Sequence, residues 1–291
     1  MKTTWPFLLA FLLLAAPAAV QAQFTYSTNA DNTLTVTGYS WPGGAVTIPG
    51  ANDAGLLVTS IGANAFYDNK SFTSVTIPEG ITSIGPTAFQ NCGILATVTI
   101  PASVTNILAC STASIGDFAF ASCASLTNAT IADGVTGIGN NAFNGSGLTS
   151  LTIPASVTNI GSYAFKFCTS LSSVTIPASV TNIGDAAFCF CGSLTNVTIP
   201  GSVTSIGDDA FQGCTNLTAV TIPGSVANIG NYAFYCCTSL TSVTIPGSVT
   251  NIGEGPFQDC ASLTSDTGEH KQFVLQQFEW SVVRHYPIHD L

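Results

Sequence analysis

From Val58 to about Thr264 the chain repeats one order of apolar and polar positions. An apolar-x-x-apolar-x-apolar stretch is followed by proline, two spaced apolar residues, glycine and an Ala-Phe pair. Phenylalanine marks the period: Phe66, Phe89, Phe120, Phe143, Phe165, Phe188, Phe211, Phe234 and Phe257 are separated by 23, 31, 23, 22, 23, 23, 23 and 23 residues. In the unit that begins at Phe165 the apolar positions are Leu171, Val174, Ile176, Val180, Ile183 and Ala187, with Pro177 and Gly184 among them. A fixed period of this length is the signature of stacked repeats. The 31-residue step is the same unit carrying eight extra residues between Ile107 and Ile115, expected as a loop on one edge.

The pattern predicts the elements. Val174 and Ile176 alternate with outward-facing polar residues, as in a strand with one buried face. Pro177 has no N–H to give to a ladder and fixes its own φ, so it ends that strand. The glycines at 62, 85, 116, 139, 161, 207, 230 and 253 predict a backbone conformation that other residues would find strained, and they release the chain into a short helical segment bearing Ala187 and Phe188. One unit alone buries nothing. Only stacking removes its large side chains from water, at roughly 1.5–3 kcal/mol each. The expected fold is a mainly-β repeat solenoid of about nine 23-residue turns, with short helical segments on its outer side.

The ends depart from the repeat. Phe24-Thr25-Tyr26 and Leu34-Thr35-Val36 flank the turn-prone Asn29-Ala30-Asp31-Asn32, so residues 23–57 are read as a β-hairpin cap over the first open turn. Residues 1–22 are read as a secretory signal peptide: Lys2 precedes the apolar run Phe7–Ala16, and Val20-Gln21-Ala22 supplies the small residues of a cleavage site. After it, no stretch reaches the ~18 apolar residues of a membrane span. At the other end Asp266 takes a buried Val position and Gly268 a buried Ile position. Residues 265–291 hold all three histidines and Trp280. They form either a divergent cap seated by Phe273, Leu275, Phe278 and Val282, or the remnant of a truncated or frameshifted gene end.

The order L-x-x-V-x-I-P-x-x-V-x-x-I-G-x-x-A-F-x-x-C, seen from Leu171 to Cys191, resembles the BspA type of leucine-rich repeat, found in bacterial and some protist surface proteins. The resemblance covers Val58 to about Thr264. It implies a right-handed curved solenoid with a strand-lined concave face and helical segments on the convex side. It also implies a role in adhesion or partner binding, and no catalytic residues.

Composition narrows the partners. Fifteen acidic residues face five basic ones, a formal charge of -10 that becomes -11 when Lys2 leaves with the signal. Nucleic acid and anionic lipid need clustered Lys and Arg and are poor partners for such a chain. The repeats contain no histidine, and none of the Gly-x-Ser-x-Gly, His-Glu-x-x-His, phosphate-loop or dinucleotide motifs occurs. No enzyme activity and no cofactor is expected. His285 and His289 have the spacing of two ligands on a helix, but Pro287 between them opposes that helix, so no metal site is assigned.

Ten cysteines in an exported chain suggest disulfides. Seven of them, Cys92, Cys123, Cys168, Cys191, Cys214, Cys237 and Cys260, occupy one position, three after each Phe. Stacked neighbours ~5 Å apart with parallel Cβ vectors do not favour bridges, so this ladder is expected to be buried free thiol. Cys110, Cys189 and Cys236 lie off the ladder and are expected to be exposed.

Function is sought on the strand face. Outward residues form one row of Thr76, Thr99, Thr130, Thr152, Thr175, Thr198, Thr221 and Thr244, and a second that includes Asn128, Ser150, Ser173, Asn196 and Ser242. Threonine in such a row also serves strand propensity and cross-strand bonding. As a contact surface, the neutral hydroxyls and amides suit a protein, a glycan or another copy of the chain. The expected function is non-catalytic binding or adhesion, secreted or at the cell surface. A structural surface-layer or matrix role by self-association is the alternative. Ice binding by the threonine array is a further one, opposed by the curvature of such solenoids.

Overall fold

A computed structural model describes residues 23–40, 43–105, 115–263 and 265–266. The expectations for the signal peptide, Cys110, His285, His289 and the end of the chain fall outside these residues. Among the described residues no helix is long and apolar enough to cross a membrane.

The chain is a parallel β solenoid of about nine turns, two faces of which are strand ladders. On the first face Gly44–Thr47, Phe72–Thr76, Thr97–Ile100 and Asn128–Ile131 form one sheet. Ser150–Thr152, Ser173–Thr175, Asn196–Thr198, Ala219–Thr221, Ser242–Thr244 and Ser265–Asp266 form the next. Register advances by one repeat unit per strand, so Val174 pairs with Val197 and Thr175 with Thr198. The second face carries two-residue strands such as Asn159–Ile160, Asn182–Ile183 and Ser205–Ile206, also parallel and in register.

Both ladders begin within the expected cap. Gln23–Thr28 and Leu34–Ser40 pair antiparallel as a hairpin, and the second of these strands pairs parallel with Val58–Ile61. Val46-Thr47-Ile48-Pro49 already has the repeat's strand order, and it places Val46 beside Val75 on the first face.

The core is one continuous column. All nine repeat phenylalanines are buried, and successive rings lie face to face with centroids 4.7 Å apart at Phe66–Phe89 and 5.6 Å at Phe143–Phe165. Leucine, valine and isoleucine of the strands fill the rest of each layer.

The outer segments are not helical. Residues two before and two after each Phe adopt positive φ, as at Tyr163 (61°) and Phe167 (59°), and so break any helix. Their hydrogen bonds alternate. Lys166 N–H closes a turn onto Tyr163 O at 3.1 Å, whereas Phe165 and Phe167 donate to Ala187 O and Cys189 O in the next rung at 2.8 and 2.9 Å. An α-helix would keep every N–H inside its own rung. Alternation lets this side of the solenoid bond to its neighbour as the strands do.

The recurring glycine also has a different reason from the expected one. None of the glycines at 62, 85, 116, 139, 161, 184, 207, 230 and 253 has positive φ. A Cβ on Gly184 would lie 2.7 Å from Ser162 N and 2.8 Å from Gly161 C, so close approach of the neighbouring backbone excludes a side chain.

Candidate functional site: the hydroxyl and amide rows

The solenoid carries two kinds of hydroxyl. One kind fastens rungs together: Thr195, Thr218 and Thr241 donate to Ser172 O, Thr195 O and Thr218 O at 3.3, 3.3 and 3.1 Å. Ser156, Ser202 and Ser225 do the same to Val135 O, Val180 O and Val203 O at 2.7, 2.6 and 2.7 Å. The threonines share carbonyls that already accept the backbone N–H of the same threonine, whereas the serines satisfy carbonyls outside the strand ladders.

The other kind lies on the first face. Thr76, Thr99, Asn128, Thr130, Ser150, Thr152, Ser173, Thr175, Asn196, Thr198, Thr221 and Thr244 are exposed, and Ser242 is half-buried. Among the described residues the side chains of these positions, Thr244 apart, make no hydrogen bond within the chain. Strand pairing lines them up rung by rung, as in Ser173 beside Asn196 and Thr175 beside Thr198. Cross-strand hydroxyl bonding therefore does not account for the rows. They form a neutral surface of donors and acceptors turned towards solvent.

A groove of about 390 Å³ on the second face differs in this respect. Its acidic and amide side chains are engaged: Asp185 Oδ1 accepts Asp208 N–H at 3.1 Å, Asp208 Oδ1 accepts Asn231 N–H at 2.7 Å, and Asn231 Oδ1 accepts Glu254 N–H at 2.8 Å. Sequence reading misses this Asp/Asn ladder, although its residues recur directly after the repeat glycine.

The seven ladder cysteines are buried free thiols. Each donates to the carbonyl of a phenylalanine in the preceding rung, from Cys92 to Phe66 O at 3.1 Å through Cys191 to Phe165 O at 3.2 Å to Cys260 and Phe234 O at 3.1 Å. Ser146 takes the cysteine position in its own rung and lies 3.3 Å from Cys168 Sγ. Burial pushes the Cys168 thiol up to about 11 and raises Cys191 and Cys214 well above their ordinary range. Contact with the neighbouring ladder thiols and then burial raise Cys123 and Cys237 as well. Such thiols are poor nucleophiles and poor metal ligands.

Cys189 is a correction. It is buried rather than exposed, its thiol 3.2 Å from Gln212 Oε1, and burial pushes it up to about 11. The outer segment turns back on itself at positive φ, which folds this position against the next rung. Cys236 is half-buried and raised by burial. Among the described residues no group of three His, Cys, Asp or Glu side chains gathers to hold a metal.

The model of the BspA type leucine rich repeat region matches six copies, over residues 56–111, 107–214 and 181–278. The chain belongs to the BspA-type leucine-rich-repeat family. A leucine-rich repeat protein from Bacteroides ovatus ATCC 8483 shares the architecture: it is 29% identical, with TM-score 0.71 over 84% of this chain and 69% of its own. A leucine rich cell surface protein from Faecalibacterium prausnitzii A2-165 is 25% identical over 91% of this chain and 98% of its own, with TM-score 0.36. The Treponema pallidum leucine-rich repeat protein is 25% identical over 87% of this chain and 92% of its own, with TM-score 0.46. Among curated proteins none matches in sequence.

Proposed function

We propose that this BspA-type solenoid is a non-catalytic binding protein, exported to the cell surface or beyond. It holds a protein or glycan partner against the Thr76-to-Thr244 and Asn128-to-Ser242 rows of its first face. One observation carries the reading: two repeated series of hydroxyls elsewhere on the rungs, such as Thr218 and Ser225, are spent on neighbouring carbonyls, whereas those of these rows, Thr244 apart, are not. An array of unspent donors and acceptors on a rigid scaffold is suited to recognition, because its geometry is set before the partner arrives. The basic start, apolar run and small-residue cleavage pattern of residues 1–22 support export.

Binding of labelled protein to cell-surface and matrix preparations tests it. The triple variant Thr152→Val, Thr175→Val, Thr198→Val keeps shape and strand propensity, so it should melt with the parent and bind at least tenfold more weakly. Undiminished binding would place the contact elsewhere.

Self-association has an observation of its own. Phe167 and Phe190 are 45% and 40% exposed and stack with centroids 5.2 Å apart on the outer surface, an apolar ridge suited to lateral contact between copies. Light scattering across a concentration series separates the two: a matrix component grows, a binder stays monomeric.

A further inference from the structure

We propose that the break in the first-face ladder, between Asn128–Ile131 and Ser150–Thr152, is a cleft for a neutral saccharide. This rests on the first face being the binding face and assigns it a specific seat.

The break has a cause in the sequence. Ala129 stands where other rungs put Val75, Val98, Leu151, Val174, Val197, Val220 and Val243. Ala132 stands where they put proline, and the unit from Phe143 to Phe165 is one residue short. The ladder pairs Val98 with Ala129 on one side and Leu151 with Val174 on the other, but no register pair joins Ala129 to Leu151 among the described residues. The second face stays joined at the same level, through Ile115, Ile138 and Ile160. The ladder is thus continuous on one side and interrupted on the other, although the two strands stay side by side. Departures from an otherwise regular repeat are where function is to be sought.

Along the interruption lies a cavity of about 470 Å³, within the ~300–1,000 Å³ of small-ligand clefts. Asn128, Thr130 and Asp133 line one lip and Ser150 and Thr152 the other, with the buried Ala129, Leu151 and Pro154 beneath. An amide, three hydroxyls and one carboxylate converge over a small apolar base. Sugar hydroxyls donate and accept at once, which matches that set.

Other ligands fit less well. No Lys or Arg lines the cleft, so a phosphate would find no counter-charge. It has none of the Trp, Tyr or Arg anchors on which protein contacts concentrate. Insertion of a peptide strand is blocked because Thr149 N–H still bonds Thr127 O at 3.3 Å across the base of the gap.

The test is calorimetric titration of the full chain with maltose, cellobiose, chitobiose, mannobiose and lactose. At least one should bind saturably. Asn128→Ala with Asp133→Ala, both at the lip of the cleft, should weaken it tenfold or more without changing the melting temperature. Ala129→Val, which restores the residue of the other rungs and touches no polar group, should abolish it. Asn182→Ala, exposed on the second face in Asn182–Ile183, should leave it intact. If no sugar binds, or if these cleft variants bind as the parent does, the cleft assignment is overturned. Loss in Thr175→Val with Thr198→Val alone would keep the face as the binding surface and reject the cleft. Binding of a protein to the face with no sugar bound would likewise retain the face and reject the cleft.

Discussion

The Cys191 thiol donates to Phe165 O at 3.2 Å, and the same oxygen accepts Cys168 N–H at 3.1 Å. One carbonyl therefore closes the turn of its own rung and receives the thiol of the next. The phenylalanine that fills a layer also fastens the layer above it. Cysteine suits this position because it is a small hydrophobe with a single weak donor, buried at little cost when the donor is used.

This arrangement predicts instability in alkali. The folded thiol is raised above its unfolded value, so its contribution is complete below the unfolded pKa and is lost as pH rises towards the folded one. For Cys168 that window runs from the ordinary 9.0 to about 11. Within it each raised thiol should lower stability by about 1.4 kcal/mol per pH unit. Urea unfolding at pH 8, 9 and 10 should show a steep combined decline, shallower by one thiol's share in Cys168→Ala. A flat profile would mean that the ladder thiols ionise as freely folded as unfolded.

The glycine rows predict a sharp contrast between two similar substitutions. In Gly184→Ala the new Cβ meets Ser162 N at 2.7 Å, and both are backbone-fixed, so the rungs must part. A cost above ~3 kcal/mol is expected, in the range of severe overpacking. Gly201 has nothing within 4 Å of a Cβ and no positive φ, so Gly201→Ala should be neutral or stabilising by up to ~1 kcal/mol. Thermal melts of the two variants decide this. Equal effects would show that the recurring glycine answers to conformation and not to contact.

The same glycine shows how far the chain is legible from its residues alone. Spacing locates the strands and the phenylalanine column, because burial on a period of 23 depends on one face of one unit. It does not reveal why glycine recurs, since the clash is with another rung and not with the residue's own neighbours. The outer segments look helical in sequence for a related reason. Phe167 and Tyr163 are ordinary helix residues locally, and only bonds to the next rung hold them at positive φ. The hydroxyl rows are legible as outward positions. Which hydroxyls are spent on carbonyls is not, because Thr195 and Thr198 look alike until Thr195 Oγ1 is found 3.3 Å from Ser172 O. The break beside Ala129 is visible as a 22-residue step but not as an opening, which depends on two strands failing to pair.

Phe167 offers a last prediction, in which two effects oppose. Its φ of 59° is disfavoured for a bulky side chain, and sister rungs place Asp68, Asn91, Gly145 and Gly213 at the equivalent position. Asparagine tolerates this conformation, so Phe167→Asn should recover about 1 kcal/mol of strain. It also removes the stack on Phe190, centroids 5.2 Å apart, and the ring beneath Lys166 Nζ, 5.0 Å away. Such a stack contributes roughly 0.5–1.5 kcal/mol. Stability should therefore change little, while the exposed apolar ridge is halved. Sedimentation velocity should show less self-association than in the parent at high concentration, with an unchanged melt. A large loss of stability would instead make the ring part of the packing and remove the basis for lateral contact at this ridge.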